Sequence, residues 1–187
     1  MTSPRVLVVD NGSLSIPQVR RSFEALGAQT DLARADEVPD ALPAKYQALV
    51  LSGTKVRAYD SDHYRRLIDL VHGSAVPVWG ICGGMQIIAT SAGAELVEGR
   101  SRVGTHEVRV DKTEPVFADA KPTVTLFQRH MLYVKAAPPG FTAIGWSDDA
   151  PVEFLRSDDG RVYGSQAHLE FREDGLSVLR GFVSLFS

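Results

Sequence analysis

The order of apolar and polar positions divides the chain into two parts with different patterns. In the first part, short apolar runs alternate with stretches whose apolar residues recur every three to four positions. Short apolar runs bounded by turn residues are typical of buried strands, and a period of 3.6 residues is typical of amphipathic helices. This alternation predicts an α/β fold with a parallel sheet. The predicted strands cover residues 5–9, 28–32, 48–51 and 75–79, and the predicted helices begin at Ser15, Ser61 and residue 87.

After about Gly93 the segments are short, alternate between apolar and polar residues, and are separated by Pro, Gly or Asp. They predict further strands, some of them antiparallel, at residues 103–110, 123–127, 141–146, 152–155 and 161–165, and a closing helix at 176–186. The predicted architecture is a three-layer α/β sandwich with a mostly parallel central sheet and added antiparallel strands. A ligand site is expected at the carboxyl ends of the central strands. Three aromatic residues are expected in the core: Trp79, Phe127 and Trp146.

Length and composition narrow the class of protein. A chain of 187 residues predicts a single domain over 1–187, and its 44% hydrophobic and 23% charged residues are ordinary for a globular protein. The formal net charge is −3, and the pair Arg20 and Arg21 is interpreted as a solvated helix face, so nucleic-acid binding is not expected.

The same features bear on compartment and cofactors. A single cysteine excludes an internal disulfide, and the first residues, Met1 to Pro4, do not resemble a charged and apolar leader, so a cytoplasmic protein is expected. No apolar run approaches the ~18 residues of a membrane span. The five histidines are scattered without a cysteine cluster, so neither a metal nor another cofactor is predicted.

The cysteine stands in residues 80–86, GICGGMQ, between a predicted strand and a predicted helix. A strand that runs straight into a helix, with a nucleophile at the corner and glycines beside it, is typical of a nucleophile elbow. The turn requires strained backbone geometry, and the glycines prevent clashes of neighbouring side chains. The helix end behind Cys82 favours the thiolate. Because a free cysteine is often inert packing, this interpretation needs a base nearby.

Such a base is predicted near the end of the chain, where residues 166–170 read QAHLE. Alternation along an extended segment places Gln166, His168 and Glu170 on one side. Glu170 could then orient the His168 ring while the other ring nitrogen faces Cys82. A His-x-Glu by itself is often structural, but together with the elbow it predicts a Cys-His-Glu triad.

Both motifs resemble those of class I (triad-type) glutamine amidotransferases: residues 80–86 its nucleophile motif, and residues 166–170 its Gln-x-His-Pro-Glu motif. Residues 49–54, followed by Tyr59 and Asp60, resemble the oxyanion strand and loop of that family, and the similarity extends over nearly the whole chain. Finer features resemble the glutaminase unit of GMP synthetase, namely residues 8–12 and 151–153. Residues 128–134 fall where the family has a histidine-bearing loop, which also resembles that of anthranilate synthase glutaminases.

The resemblance implies hydrolysis of the side-chain amide of glutamine through a Cys82 thioester, with His168 as base and Glu170 as its orienting group. The backbone of the Gly53–Thr54 loop and Gly83 would form the oxyanion hole. The resemblance also implies that Gln86 contacts the amino-acid end of the substrate, and His130 is a further pocket-lining candidate. An ordinary surface glutamine and an ordinary histidine are the alternatives for these two.

Three positions depart from the family pattern: Leu169 for the usual proline, Thr54 for the second glycine of the oxyanion loop, and Leu132 for an aspartate. Proline would restrict φ between the histidine and the glutamate, and glycine would allow closer approach to substrate. These departures leave all three triad residues in place.

Glutaminases of this kind pass ammonia to a synthetase. The sequence lacks a Gly-x-x-x-x-Gly-Lys-[Ser/Thr] loop, so we expect a separate ATP-dependent synthetase subunit, GMP synthetase-like or serving a specialised biosynthetic amidation. Two alternatives remain open from the sequence. One is a stand-alone hydrolase of γ-glutamyl amides or peptides, and the other is a non-catalytic regulatory module with the same fold.

Overall fold

A computed structural model of the chain describes residues 3–55 and 62–187. Within these residues the strands are β1 (Arg5–Asn11), β2 (Gln29–Arg34), β3 (Ala48–Thr54), β4 (Val78–Ile81), β5 (Leu96–Val110), β6 (Thr123–Val134), β7 (Phe141–Trp146), β8 (Phe154–Ser157) and β9 (Val162–Ser165). The helices are α1 (Ile16–Ala25), α2 (Asp62–Gly73), α3 (Gly83–Ser91) and α4 (Glu173–Val183), with short 3₁₀ turns at Pro115–Phe117 and Leu169–Phe171.

The strands form one mixed sheet in the order β2-β1-β3-β4-β9-β8-β7-β5-β6. The neighbours from β2 through β9 pair in parallel, and those from β9 through β6 pair antiparallel. In the parallel part, β3 and β4 are buried along almost their whole length, because helices cover both faces. Their carboxyl ends, at Thr54 and Ile81, therefore lie side by side at one edge of the sheet.

Residues of β1 alternate between two hydrophobic cores, one on each face of the sheet. Val6 and Val8 face a core that includes Phe23 of α1 and Phe182 of α4. Leu7 and Val9 face the other core, to which two helices contribute: Tyr64, Leu67, Leu70 and Val71 of α2, and Met85, Ile87, Ile88 and Ala89 of α3. Helices thus lie on both sides of the sheet, and the predicted three-layer α/β sandwich is confirmed.

The antiparallel part is dominated by the long ladder of β5 with β6, which runs from Leu96↔Val134 to Arg109↔Thr123 with a bulge between Glu98 and Arg102. The prediction of a histidine-bearing loop at 128–134 was wrong. These residues continue β6, because β5 extends seven residues beyond the predicted start at 103 and pairs with them.

Some predicted boundaries also shift. The closing helix begins at Glu173 and ends at Val183 rather than covering 176–186, and α3 begins directly after Cys82. Ser15 precedes α1 without capping it through its side chain, and its hydroxyl instead contacts that of Ser13 at 2.9 Å. The predicted helix start at Ser61, and the resemblance at Tyr59 and Asp60, lie outside the described residues. In the part that is described, none of the helices combines the length and apolarity needed to span a membrane.

Candidate active site

Cys82 lies at the corner between β4 and α3, with φ 52° and ψ −109°. Among the described residues, Cys82 is the only one other than glycine whose φ is positive. Such a conformation costs of order 1–3 kcal/mol and persists where the surroundings impose it. The Cys82 amide donates a 2.6 Å hydrogen bond to the carbonyl of Ser165, which ties the corner to the end of β9.

Glycines allow this corner to pack tightly. A Cβ on Gly80 would lie 2.6 Å from the backbone carbon of Gly84, and a Cβ on Gly84 would lie 2.6 Å from the carbonyl oxygen of Leu51 in β3. Both contacts are with backbone, which cannot rotate away as a side chain can. The small residues therefore let the start of α3 rest directly on β3, and the elbow predicted from the sequence matches the geometry.

His168 and Glu170 follow β9 and face this corner. The His168 amide donates to the carbonyl of Phe127 at 2.8 Å, which fixes the segment against β6. The Nδ1 atom of His168 lies 2.8 Å from Oε1 of Glu170, whose side chain is fully buried. The second carboxylate oxygen, Oε2, has no hydrogen-bond partner among the described residues. The carboxylate is thus directed at the ring of His168.

Two opposing effects act on the charge of His168. Burial disfavours the charged ring, but hydrogen bonds with the side chains of Cys82 and Glu170 outweigh burial and raise the pKa of His168 to about 10. The ring therefore carries its proton at neutral pH, between a carboxylate on one side and the sulfur of Cys82 on the other. The structure brings together all three residues of the predicted triad.

The residues predicted for the oxyanion hole are adjacent to this triad. A Cβ on Gly53 would lie 3.4 Å from Cε1 of His168 and 3.7 Å from Cβ of Cys82, and one on Gly83 would lie 2.7 Å from the backbone nitrogen of Thr54. The hydroxyl of Thr54 lies 2.7 Å from that of Tyr64 on α2. The threonine that departs from the family pattern is thus anchored to the neighbouring helix through its side chain.

These residues line a cleft of about 550 Å³, a volume within the range of small-molecule sites. The cleft is also bordered by β6 and by three exposed or half-exposed apolar side chains, Leu14, Val103 and Phe171. Phe127 lines it as well, and its ring contacts those of His168 and Phe171 with centroids 6.2 and 5.2 Å away. The expectation that Phe127 is core was therefore wrong, as was that for Trp146, which is 39% exposed, whereas Trp79 is fully buried.

Gln86 and His130 both line the cleft. The Gln86 amide nitrogen donates to the carbonyl of Leu132 at 2.8 Å and to Oε1 of Gln166 at 2.9 Å. Nδ1 of His130 lies 3.0 Å from the same carbonyl, and Nε2 lies 2.7 Å from Oε1 of Gln128. Burial lowers the pKa of His130 to about 4.

Two features of the site were not assigned from the sequence. Gln166 is fully buried and its amide nitrogen lies 3.7 Å from the sulfur of Cys82. The alternation that placed Gln166 on the side of His168 was the available signal. Behind His130, a buried ion pair joins Arg102 to Glu153, whose other oxygen accepts from Gln128 at 2.8 Å. No local pattern connects residues 102 and 153.

The fold, the strained cysteine and the buried His-Glu pair define a class of protein, and comparison with known families agrees with it. The family model for glutamine amidotransferase class-I matches residues 7–183, so this chain belongs to that family. It is 32% identical over 187 residues to the GMP synthase [glutamine-hydrolyzing] of Thermus thermophilus. That alignment covers 96% of this chain and 36% of the relative, so the chain spans about a third of the length of such relatives.

Other relatives have a similar length. A protein of Methanopyrus kandleri that is named as one subunit of GMP synthase [glutamine-hydrolyzing] is 28% identical over 186 residues, with 96% of this chain and 97% of the relative covered. Among solved structures, a candidate GMP synthase subunit from Thermoplasma acidophilum superposes with a TM-score of 0.87 at 24% identity, covering 99% of this chain and 94% of the other. A glutamine amidotransferase from Thermotoga maritima gives a TM-score of 0.76 at 20% identity, covering 100% and 83%. At these sequence identities the structural similarity supports the fold alone.

Proposed function

We propose that this chain hydrolyses the side-chain amide of glutamine, giving glutamate and ammonia, through a thioester on Cys82. The observation that carries the proposal is the buried His168–Glu170 pair beside a strained cysteine in a cleft of about 550 Å³. Family membership supports the same chemistry. Because the pKa of His168 is raised, its proton is available for the leaving group and its charge supports the sulfur as a thiolate.

In the first half of the reaction, the sulfur of Cys82 attacks the amide carbon and the carbonyl oxygen becomes an oxyanion. The backbone N–H groups of Gly83 and of the Gly53–Thr54 loop are proposed to hold this oxygen. Loss of one such donor typically costs about 3 kcal/mol of barrier. His168 then gives its proton to the nitrogen as the C–N bond breaks, and ammonia leaves.

In the second half, a water attacks the γ-glutamyl thioester and His168 takes up the proton of that water. The C–S bond breaks, glutamate leaves, and the proton stays on His168 beside the regenerated thiolate. Glu170 holds the ring in one orientation throughout, since its carboxylate faces Nδ1. Gln86 and His130, which line the cleft, are proposed to contact the amino-acid end of glutamine.

We further propose that the ammonia passes to a separate ATP-dependent synthetase subunit. Support comes from relatives named as one subunit of a GMP synthase, which have about the length of this chain, and from longer relatives named GMP synthase. The molecule that accepts the ammonia is proposed to be the acceptor used by a GMP synthase, or the acceptor of a related biosynthetic amidation.

Release of ammonia and glutamate from glutamine tests this function, with and without a candidate synthetase. The protein should release both products in equal amounts. Cys82→Ala should abolish this release, while its circular dichroism spectrum and its urea-unfolding curve match those of the wild type. Appreciable release by Cys82→Ala would refute the assignment of the nucleophile. Turnover of γ-glutamyl peptides in preference to glutamine would favour a stand-alone hydrolase. A folded protein without turnover, and without labelling of Cys82 by a glutamine-like electrophile, would favour a non-catalytic module.

A further inference from the structure

The amide of Gln166 is the polar group that contacts the sulfur of Cys82 from the side of β9. Its Nε2 lies 3.7 Å from Sγ, and the side chain is fully buried. A buried amide has two donors and one acceptor to satisfy, and its two ends are easily exchanged. Which end faces the sulfur decides whether Gln166 stabilises or opposes negative charge there.

A chain of contacts fixes that orientation. The carbonyl oxygen of Leu132 on β6 can only accept, so the amide group that faces it at 2.8 Å must be the nitrogen of Gln86. The other N–H of the same nitrogen points to the amide of Gln166 at 2.9 Å, which must therefore present its oxygen, Oε1. The nitrogen of Gln166 is then left to face Cys82. The backbone of β6 thus sets the polarity of a contact with the nucleophile.

We propose that Gln166 donates a hydrogen bond to the attacking sulfur, and that Gln86 is a positioning residue that acts through Gln166. This inference rests on the proposed function and adds two residues to it. An N–H donor favours the thiolate over the thiol, because the hydrogen bond strengthens when the acceptor carries charge. It also restricts the rotation of the side chain of Cys82 about its Cα–Cβ bond, so that the sulfur is presented in one direction.

Alkylation of the protein by iodoacetamide between pH 5 and pH 10 tests this directly. Cys82 is the single cysteine of the chain, so the rate reports on its sulfur alone, and the reaction needs no glutamine. In Gln166→Leu the donor is absent, so the midpoint of the curve of alkylation rate against pH should lie about one pH unit higher, and alkylation below the wild-type midpoint should be up to roughly tenfold slower. Gln166→Glu keeps the shape but presents oxygens to the sulfur, so its midpoint should move in the same direction.

Ser165→Ala is the matched control. Ser165 is fully buried one residue earlier, and its hydroxyl bonds with Nε1 of Trp79 and the carbonyl of Ala167 without contacting the sulfur. This variant loses buried hydrogen bonds at the end of β9, directly before Gln166, and the backbone hydrogen bond from Cys82 to the carbonyl of residue 165 stays. Its alkylation profile should match that of the wild type. If the role of Gln166 were purely structural, Ser165→Ala and Gln166→Leu would shift the midpoint of alkylation alike.

Gln86→Met tests the second part of the proposal. It leaves Gln166 in place but removes the group that orients it, so alkylation below the wild-type midpoint should slow by roughly two- to fivefold. Because iodoacetamide does not use the glutamine site, a role of Gln86 in substrate contact alone would leave this rate unchanged and raise only the KM for glutamine.

The inference would be overturned if the midpoints of Gln166→Leu and Gln166→Glu equalled that of the wild type. It would also be overturned if Ser165→Ala shifted the midpoint by the same amount as these two variants. If neither variant of Gln166 folds, the profile of Gln86→Met decides, and an unmoved profile overturns the inference. The outcome is separable from the proposed function. Shifted midpoints without ammonia release would refute the function alone, and ammonia release with unshifted midpoints would refute this inference alone.

Discussion

Replacement of Gly84 by alanine tests whether close packing of α3 on β3 holds the nucleophile in place. The added Cβ would lie 2.6 Å from the carbonyl oxygen of Leu51, 2.9 Å from its Cβ and 2.9 Å from the carbonyl oxygen of Ser52. Cβ atoms in proteins essentially never approach other heavy atoms closer than 3.0 Å, so the start of α3 must move away from β3. Overpacking of this kind typically costs about 1–3 kcal/mol.

The displacement reaches the site, because Gly84 is two residues from Cys82 and Gly83 carries a proposed oxyanion donor. Misplacement of reacting groups by about 1 Å can cost on the order of 100-fold in rate. We expect kcat for ammonia release from glutamine to fall at least tenfold in Gly84→Ala. The melting temperature should fall by about 2–4 °C for each kcal/mol lost.

Gly73→Ala is the control for this experiment. Gly73 is exposed at the end of α2, and a Cβ there would have no atom within 4 Å. This change should leave kcat unaltered and stabilise the fold by up to about 1 kcal/mol through the unfolded chain. A Gly84→Ala protein with wild-type kcat and melting temperature would refute the argument that the elbow depends on backbone contact with β3.

Three further predictions concern residues around the site, the polar His130 and Glu153 and the apolar Leu169. Because burial lowers the pKa of His130 from 6.5 to about 4, the unfolded chain binds a proton there first on acidification. The free energy of unfolding should therefore fall between about pH 6.5 and pH 4, by up to ~1.4 kcal/mol per pH unit. In His130→Asn, urea unfolding at pH 7 and at pH 5 should give a smaller difference in this free energy than in the wild type. An equal difference in the two proteins would contradict the burial argument. Glu153→Gln removes the buried carboxylate that pairs with Arg102 and leaves the exposed carboxylate of Asp149, 3.7 Å from Nη2, as its charged partner; it should cost about 3–5 kcal/mol in thermal or urea unfolding, and a loss below about 1 kcal/mol would show that the pair with Glu153 is dispensable. Leu169→Pro should not raise kcat but should lower stability by about 1–3 kcal/mol, since Leu169 is fully buried in the core; a large gain in rate would show that the natural site is impaired.

The parts of the fold and site that depend on short stretches of sequence could be predicted. Apolar runs identified the parallel strands, and glycines on both sides of Cys82 identified the elbow, because both are local requirements of backbone and packing. Alternation along an extended segment predicted His168 and Glu170 on one side; residues 169–171 instead form a 3₁₀ turn, and this local turn brings Glu170 to 2.8 Å from His168. These features need no knowledge of distant contacts.

Contacts between distant segments could not be predicted in the same way. Residues 128–134 form a strand because β5 pairs with them across a bulge, and their own sequence does not show this. The direction of the Gln166 amide depends on the backbone carbonyl of Leu132 in β6, which is distant from it in sequence. Phe127 has the apolar character of a core residue, yet it borders the cleft, since the chain returns to pair it with His168.

The proposed chemistry depends most on a covalent bond between Cys82 and the substrate. Its direct test is mass spectrometry of the protein quenched in acid during turnover of glutamine, followed by digestion and sequencing of the peptide that contains Cys82. We predict that a fraction of this peptide carries one γ-glutamyl group on the sulfur, and that the adduct is absent from a sample quenched before glutamine is added. Rapid production of glutamate and ammonia by a protein whose Cys82 stays unmodified throughout turnover, and whose Cys82→Ala variant retains that activity, would contradict this mechanism.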